Sequence, residues 1–307
     1  MRKQFVKSAS QLLAEDNSRV LLLGDIGVFG FRQAFADFPD RVYNIGILEQ
    51  ATVGMAAGLV MTGMKPIVHT IAPFLIERAY EQLKIDFGYQ HLGGTFVSVG
   101  GSFDYSSLGC THHCPGDVNL IENIEGFSIF VPGHPDELAM IFEQTKDFGG
   151  SKYIRLSETS NSKSVADNWM KPVTVRQGNA YCPTIVAVGP CLDMVLEAVG
   201  DLPITVLYTI AVRPFPAHEL KLPSLNSTVI VVEPYYSSQL AHQIAGCNTN
   251  RYGQVNARTF SIRRNFIEEY GDRKRINLNI GFYAHALRVE IETWIKSPKL
   301  SEMTPRA

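Results

Sequence analysis

Short apolar runs alternate with segments of helical periodicity along this sequence, and that alternation restricts the fold more than any other feature. In the first half, the apolar runs that predict strands are residues 20–24, 42–47, 65–71, 95–99 and 127–131. The segments that predict helices between them are residues 31–38, 49–62 and 74–90. Strands that alternate with helices are typical of a parallel sheet whose ligands bind at the carboxyl ends of the strands.

The alternation stops at a polar stretch, residues 157–168, and then starts again. The later runs predict strands at residues 184–189, 204–208, 227–233 and 258–262, with helices near residues 192–199 and 237–245. We therefore predict an α/β protein with two consecutive doubly wound, mainly parallel-sheet domains. The first spans residues 1–160, a linker spans residues 161–178, and a second domain spans residues 179–307.

Composition excludes several classes of protein. The formal net charge is −2 and no run of Lys or Arg stands out, which argues against nucleic acid as the main partner. Five scattered cysteines do not resemble a disulfide framework, so a reducing, cytoplasmic location is expected. The first residues carry no apolar segment of a secretory signal, and no apolar run approaches the roughly 18 residues needed to cross a membrane.

Glu49 is the strongest candidate for a functional residue. It follows the apolar run 42–47 and begins the small-residue helical segment 49–62, so its carboxyl group is expected at a strand-to-helix junction among core residues. Because burial disfavours the charged form, such a Glu is expected to hold its proton or to share it with a ligand nitrogen. The alternative is a first-turn Glu that only complements the helix dipole.

Several blocks, in their order along the chain, resemble the carboxyl-terminal half of transketolases, including the split two-subunit type. Related 1-deoxyxylulose-5-phosphate synthases and 2-oxo acid dehydrogenase beta subunits share the arrangement. The blocks are Gly46-Ile-Leu-Glu-Gln50, Arg78-Ala-Tyr-Glu-Gln82 and Thr111-His112, with echoes of the last domain at Gly189 and Val231-Val-Glu233. The similarity covers nearly the whole chain and implies a pyrimidine-binding domain followed by a transketolase C-terminal-like domain.

The resemblance implies a cofactor for Glu49. In this family the acid hydrogen-bonds the aminopyrimidine of thiamine diphosphate and favours its imino tautomer, while the cofactor supplies the difficult chemistry. Phe74 matches the aromatic residue on which the pyrimidine stacks, although it could instead be a core residue of a helix. Asp25 falls near a family acid that borders the cofactor, or it could be a member of a structural ion pair. Ile71 stands in the same wall, where many transketolases have an aromatic residue.

His112 matches the family's active-site histidine, which faces the substrate, and His113 beside it is a further candidate for substrate binding. An imidazole that titrates near neutrality can polarise a carbonyl or protonate an alkoxide. A metal cluster of Cys110, His112, His113 and Cys114 is the alternative, but no second separated pair of ligands follows. The sequence therefore predicts no metal site in this chain.

Arg155 matches an arginine that transketolases use to bind substrate phosphate, although a structural ion pair is an equal alternative. Two positions depart from the family: Leu108 stands where transketolases have an Asp, and Gly100 where many have a His. The loop 100–108 is therefore a changed substrate loop, and loss of two polar groups weakens discrimination between sugars. We expect an unusual donor or acceptor.

The family's Gly-Asp-Gly motif, which ends in Asn and holds the diphosphate and Mg²⁺, is missing from this sequence. The resemblance therefore implies a partner, an amino-terminal transketolase-like subunit that holds most of the thiamine diphosphate and Mg²⁺, with two copies of each subunit. The expected activity is transfer of a two-carbon ketol or acyl unit from a ketose or 2-oxo donor to an aldehyde. Alternatives are the beta subunit of a decarboxylating 2-oxo acid enzyme and a non-catalytic subunit.

Overall fold

A computed structural model describes residues 1–220, 222, 228–252 and 255–295. The α-helices are α1 (Arg2–Glu15), α2 (Arg32–Asp37), α3 (Glu49–Met61), α4 (Tyr80–Gln82), α5 (Asp117–Glu122), α6 (Pro135–Gln144), α7 (Leu192–Val199), α8 (Leu240–Tyr252), α9 (Arg273–Ile280) and α10 (Ala284–Ile295). Two π-helical turns, Pro73–Arg78 and Leu83–Tyr89, flank α4. Short 3₁₀ turns lie at Ser106–Leu108, Cys110–His112, Gly189–Cys191 and Ala217–Glu219.

The strands form two separate sheets. They are β1 (Arg19–Leu23), β2 (Val42–Asn44), β3 (Lys65–Ile71), β4 (Thr95–Val99), β5 (Phe127–Phe130), β6 (Ser151–Arg155), β7 (Val173–Arg176), β8 (Thr184–Val188), β9 (Thr205–Thr209), β10 (Ala211–Arg213), β11 (Thr228–Tyr236) and β12 (Asn256–Ile262). The first sheet has the order β10-β5-β6-β4-β3-β1-β2 and the second β12-β11-β8-β9-β7. The predicted α/β class with two mainly parallel sheets is confirmed.

Each sheet is parallel except at one edge. In the first sheet β10 is antiparallel to β5, and in the second β7 is antiparallel to β9. The inner strands β1 and β4 are buried at every position, as expected for parallel strands that are covered on both faces. Helices α1 and α6 lie together on one face of the first sheet, while α3 and α5 pack on the other.

Strand β10 belongs to the second half of the sequence but completes the first sheet. Ala211 pairs with Phe130 of β5, so the two halves of the chain are joined by backbone hydrogen bonds as well as by the segment 161–178. The predicted domain boundaries stay a prediction, but the predicted linker 161–178 contains β7 of the second sheet, and β10 of the predicted second domain pairs with β5 of the first sheet. Among the described residues, no helix is both long and apolar enough to span a bilayer.

Four adjacent strands of the first sheet, in the order β4-β3-β1-β2, run in the same direction. The carboxyl ends of these strands therefore lie along the same edge of the sheet, and the loops that follow the strands meet there. These loops carry Asp25, Glu49, Phe74 and the segment 100–108. The fold thus brings together most of the residues that the sequence singled out.

Candidate active site

The turn between β2 and α3 places Glu49 at the edge of the sheet. Gly46 has a φ of +84°, a left-handed conformation that glycine adopts without a steric penalty, and this turn directs the chain into the helix. Asn44 fixes the start of the turn, because its side-chain oxygen accepts hydrogen bonds from the backbone N–H groups of Asp25 (3.0 Å) and Gly46 (3.3 Å). Glu49 is then the first residue of α3.

Glu49 is buried but not isolated. Only 3% of the residue is exposed, and its Oε2 accepts a hydrogen bond from Nη1 of Arg78 at 2.8 Å. Its second carboxylate oxygen, Oε1, is buried and has no hydrogen-bond partner. Since a buried polar atom without a partner is unfavourable in a folded protein, this oxygen is available to a donor from outside the chain.

Phe74 and His112 are connected to this carboxylate through Arg78. The ring of Phe74 meets the imidazole of His112 edge to face, with 5.2 Å between the ring centroids. The guanidinium carbon of Arg78 lies 4.2 Å from the centre of the Phe74 ring. Glu49, Phe74 and His112, three of the residues that the sequence singled out, are therefore linked into one group through Arg78.

The imidazole of His112 is held by its neighbour in sequence. Its Nδ1 lies 2.9 Å from the hydroxyl of Thr111, which can hold the ring in place. The ring is partly exposed, so it remains accessible to a small molecule. This combination fits a group that exchanges a proton with, or donates a hydrogen bond to, a bound substrate.

Asp25 lies at the same edge of the sheet and is exposed. Its φ of +57° is unusual for a residue other than glycine, but Asp tolerates this conformation. Its carboxylate accepts a hydrogen bond from the side-chain amide of Asn44 at 3.1 Å. Sequence reasoning missed Asn44, and the only signal would have been its position at the end of an apolar run, shortly before Gly46.

Ile71 ends β3 and is half-buried in the wall of the site. It lies close to Gly100, where an added Cβ would be 3.2 Å from Cγ2 of Ile71 and 2.4 Å from the ring of Tyr105. The φ of Gly100 is also positive, at +75°. The space that a larger residue at position 100 would need is filled by Tyr105, which explains in physical terms why this position holds glycine.

His113 points into the protein. It is 6% exposed, and its ring packs edge to face against Phe103 with centroids 4.9 Å apart. Burial lowers the pKa of His113, because the charged imidazolium is disfavoured away from water. The role of His113 in substrate binding stays a prediction, and its surroundings favour a packing role.

Arg155 also lies in the interior, where it belongs to a charged network. It is 1% exposed, and its Nε donates to Oδ2 of Asp117 at 2.7 Å, while its Nη2 donates to the hydroxyl of Ser102 at 2.7 Å. Tyr153 donates to the same Asp117 oxygen at 2.7 Å. Phosphate binding by Arg155 stays a prediction, but an enclosed guanidinium with these partners favours the structural alternative.

The loop 100–108 is tied down through Asp104. This carboxylate pairs with Arg273 at the start of α9 and accepts a hydrogen bond from the backbone N–H of Glu158 at 3.0 Å. Burial raises the pKa of Asp104, although the nearby cations Arg273 and Arg155 oppose the rise. At the end of the loop, Leu108 is 50% exposed. The changed substrate loop is thus held at Asp104 in its middle, while Leu108 at its end is exposed to solvent.

Glu77 is an acid near the site that the sequence analysis did not select as a functional residue. Its carboxylate accepts from the thiol of Cys114 at 3.5 Å, within the range for sulfur. Burial, and then the negative charge of Asp117, raise the pKa of Glu77, while the Cys114 hydrogen bond opposes the rise. Cys110 is exposed whereas Cys114 is buried, and the described residues hold no group of three or more potential metal ligands.

Exposed apolar side chains extend from the same edge of the sheet along α3. Several large apolar side chains in the loops after β1 and β2 and on α3 are at least 46% exposed: Phe29, Ile47, Leu48, Met55 and Met61. Gly58 on α3 is also exposed, and an added Cβ there would meet nothing within 4 Å. A patch of this kind marks an interaction surface.

Comparison with known proteins agrees with this arrangement. The family described as "Transketolase, pyrimidine binding domain" matches residues 1–162. An uncharacterized 33.6 kDa protein in the fasciation locus of Rhodococcoides fascians is 39% identical over 244 residues, which cover 78% of each chain. One subunit of an apulose-4-phosphate transketolase from Actinobacillus succinogenes is 38% identical over 120 residues, which cover 39% of each chain.

Solved structures show the same fold. A split-gene transketolase, described as an inactive beta4 tetramer, superposes with a TM-score of 0.80 at 21% identity and covers 96% of this chain and 97% of its own. The transketolase of Campylobacter jejuni also gives 0.80, at 16% identity, with 95% of this chain but only 46% of that chain covered. The chain therefore has the length of one subunit of a split enzyme and about half that of an undivided one.

The two sheets, the group around Glu49 and the family match define a transketolase-type pyrimidine-binding domain followed by a second α/β domain. The chain belongs to the transketolase family and corresponds to its carboxyl-terminal half, as found in split members.

Proposed function

We propose that this chain is the pyrimidine-binding subunit of a two-component, thiamine diphosphate-dependent enzyme of the transketolase type. The enzyme transfers a two-carbon ketol or acyl unit from a ketose or 2-oxo donor to an aldehyde. One observation carries the proposal: the buried carboxylate of Glu49, whose Oε1 has no partner, is linked through Arg78 to the ring of Phe74, which contacts the imidazole of His112.

The residues present fit the aminopyrimidine half of the cofactor. That ring needs a carboxyl group to exchange a proton with one of its nitrogens and a flat apolar face to pack against, and Glu49 and Phe74 offer these two features. When bound, thiamine diphosphate supplies a nucleophilic carbon for attack on a carbonyl group. Glu49 would control the proton on the pyrimidine, and Phe74 would keep water from that proton.

His112 would act on the substrate. Its ring lies next to the Phe74 ring, so a substrate that reacts beside the pyrimidine comes within reach of its nitrogens. An imidazole can donate a proton to an oxygen that gains negative charge during the reaction. Asp25 and Ile71 would border the cofactor from the loops after β1 and β3.

A partner subunit supplies the rest of the site in this proposal. The sequence lacks the motif that holds diphosphate and Mg²⁺ in the family, and the exposed apolar side chains of Ile47 and Leu48 lie in the turn that leads to Glu49. The relative from Actinobacillus succinogenes is itself named as one subunit of a transketolase, which supports the same division. We infer an assembly with two copies of each subunit, because two-fold symmetry is the commonest solution for such an interface.

The first prediction concerns the isolated chain, which we expect to bind thiamine diphosphate weakly and to be inactive. Calorimetry with thiamine diphosphate and Mg²⁺ measures the affinity, and light scattering on the co-expressed pair is expected to give the mass of a heterotetramer. Tight Mg²⁺-dependent binding with turnover by this chain alone would contradict the two-component proposal.

The second prediction concerns His112. His112→Ala is expected to lower turnover of the reconstituted complex by about a hundredfold, at the lower end of the range for a positioned acid-base group, with little change in folding. Cys110→Ser is the matched control, because Cys110 is exposed in the same 3₁₀ turn and has no assigned role. If the purified wild-type chain contains stoichiometric zinc and Cys110→Ser does not, a metal site is favoured instead.

The proposed activity and its nearest alternative, a decarboxylating 2-oxo acid enzyme, differ in the range of donors and in whether an aldehyde accepts the two-carbon unit. Loop 100–108 presents the apolar Leu108 to solvent and fills the space beside Gly100 with Tyr105, so polar groups that would read sugar hydroxyls are absent at these two positions. Comparing pyruvate with ketose phosphates as donors for the reconstituted complex, with and without an aldehyde acceptor, distinguishes the two activities. Transfer from a 2-oxo donor also releases carbon dioxide, so release from pyruvate that needs no aldehyde and forms no new ketol would favour the alternative.

A further inference from the structure

Arg78 touches both features that the proposed cofactor site depends on. Its Nη1 donates to Glu49 Oε2 at 2.8 Å, and its guanidinium carbon lies 4.2 Å from the centre of the Phe74 ring. A guanidinium is a flat, delocalised group with N–H donors at its rim, which allows it to stack on a ring and to pair with a carboxylate at the same time. Arg78 does both here.

An aminopyrimidine would need the same face of the Phe74 ring and the same carboxylate, although at its free oxygen Oε1. It is also flat, presents polar nitrogen groups at its rim, and would pack on Phe74 with its rim at Glu49. Stacked groups are in contact at about 3.5–4.0 Å, so a guanidinium already 4.2 Å from the ring centre leaves no room for a second flat group between them. Arg78 and a pyrimidine on this face of Phe74 therefore exclude each other.

The two members of the ion pair differ in their freedom to move. The side chain of Glu49 is 2% exposed, whereas that of Arg78 is 39% exposed. Arg78 is the last residue of a π-helical turn, and Ala79 after it has a φ of −104° and a ψ of 20°, outside the regular helix. The guanidinium can swing into solvent without leaving a cation buried, but the carboxylate cannot follow it.

We propose that Arg78 is a stand-in for the aminopyrimidine in the cofactor-free chain, and that it leaves when the cofactor binds. This inference rests on the proposed function. While the site is open, Arg78 keeps a buried carboxylate paired, which matters because an uncompensated buried charge is strongly unfavourable. The same contact lowers the apparent affinity for the pyrimidine, since only the fraction of chains with Arg78 displaced is ready to bind.

The test is an NMR titration of the full chain with thiamine, which carries the aminopyrimidine but no diphosphate. In the wild-type chain, the Nε–H resonance of Arg78 is expected to move towards that of a solvent-exposed arginine as thiamine saturates the site. Arg78→Met, which keeps an unbranched stem but removes the charge, is expected to bind thiamine about tenfold more tightly, as follows if Arg78 occupies the site about nine-tenths of the time.

Arg32→Met is the matched control. Arg32 is exposed and stacks on Phe29 at 4.5 Å in the same way, but its hydrogen bond is to a backbone oxygen and not to a carboxylate. Its replacement is expected to leave thiamine binding unchanged. The wild-type titration needs no substitution, so the proposal can be tested even if Arg78→Met unfolds.

Two results would overturn the proposal, and they differ in what else they affect. If thiamine binds wild type and Arg78→Met equally and the Arg78 resonance does not move, Arg78 is not a stand-in, but the proposed function stands. If neither chain binds thiamine and the complex with the partner binds no thiamine diphosphate, both the stand-in and the proposed function fail.

Discussion

Glu49→Gln is expected to lower turnover of the reconstituted complex by about a thousandfold or more, towards the upper end of the range for a positioned acid-base group. The amide has nearly the shape of the carboxyl group but cannot exchange a proton with the pyrimidine. Hydrogen–deuterium exchange at C2 of the bound thiazolium is the direct measurement, and we expect it to slow by at least about a hundredfold.

Cofactor affinity is expected to change far less than turnover in Glu49→Gln, because the stacking contact with Phe74 remains. Glu125→Gln provides the control for loss of one carboxylate, since Glu125 is exposed in the loop after α5. Exchange at the wild-type rate in Glu49→Gln would assign Glu49 a structural role, as the complement to the dipole of α3.

Asp117→Ala is expected to give the largest loss of stability. Asp117 is completely buried and compensates the equally enclosed guanidinium of Arg155, so its removal leaves that guanidinium without its hydrogen-bonded counterion, while the nearby Asp104 is already paired with Arg273. Removing one partner of a buried pair costs about 3–5 kcal/mol of unfolding free energy. Urea unfolding of the isolated chain, followed by circular dichroism, measures the difference.

Asp201→Ala is the comparison for this stability effect. Asp201 pairs with Arg288 at 2.8 Å, close to the 2.7 Å between Asp117 and Arg155. The side chain of Asp201, however, is 86% exposed. Exposed pairs contribute about 0–1 kcal/mol, so this variant is expected to unfold nearly as the wild type does. A similarly small loss for Asp117→Ala would show that water or another group compensates Arg155.

The regular parts of the fold could be predicted because periodicity is a local signal. The bounds of β3, β4 and α7 coincide with the predicted residues 65–71, 95–99 and 192–199. Strands β6, β7 and β10 were missed, as were helices α1, α5, α6, α9 and α10. Strand β6 carries Lys152 and Arg155 and therefore does not form an apolar run, whereas β7 and β10 have at most four residues and lie at the antiparallel edge of a sheet. Their pairing depends on partners far away in the sequence, which no local pattern shows.

For the site, sequence reasoning selected Glu49, Phe74 and His112, and the fold brings these three together. It did not predict the contact between Glu49 and Arg78, because residues 29 positions apart meet only when two loops of the sheet converge. The residue type of Arg155 did not show its role either, because a guanidinium can bind a phosphate or a buried carboxylate. Only the tertiary structure shows that Arg155 pairs with the carboxylate of Asp117.

The place of β10 has a consequence for the order in which the molecule forms during synthesis. The first sheet needs residues 211–213 to cover the edge of β5, although its other six strands are complete by Arg155. An uncovered edge presents free backbone N–H and C=O groups that can pair with another chain. As the ribosome moves from Arg155 to Arg213, the nascent chain therefore carries an open edge, and that interval is when it is most exposed to wrong pairing.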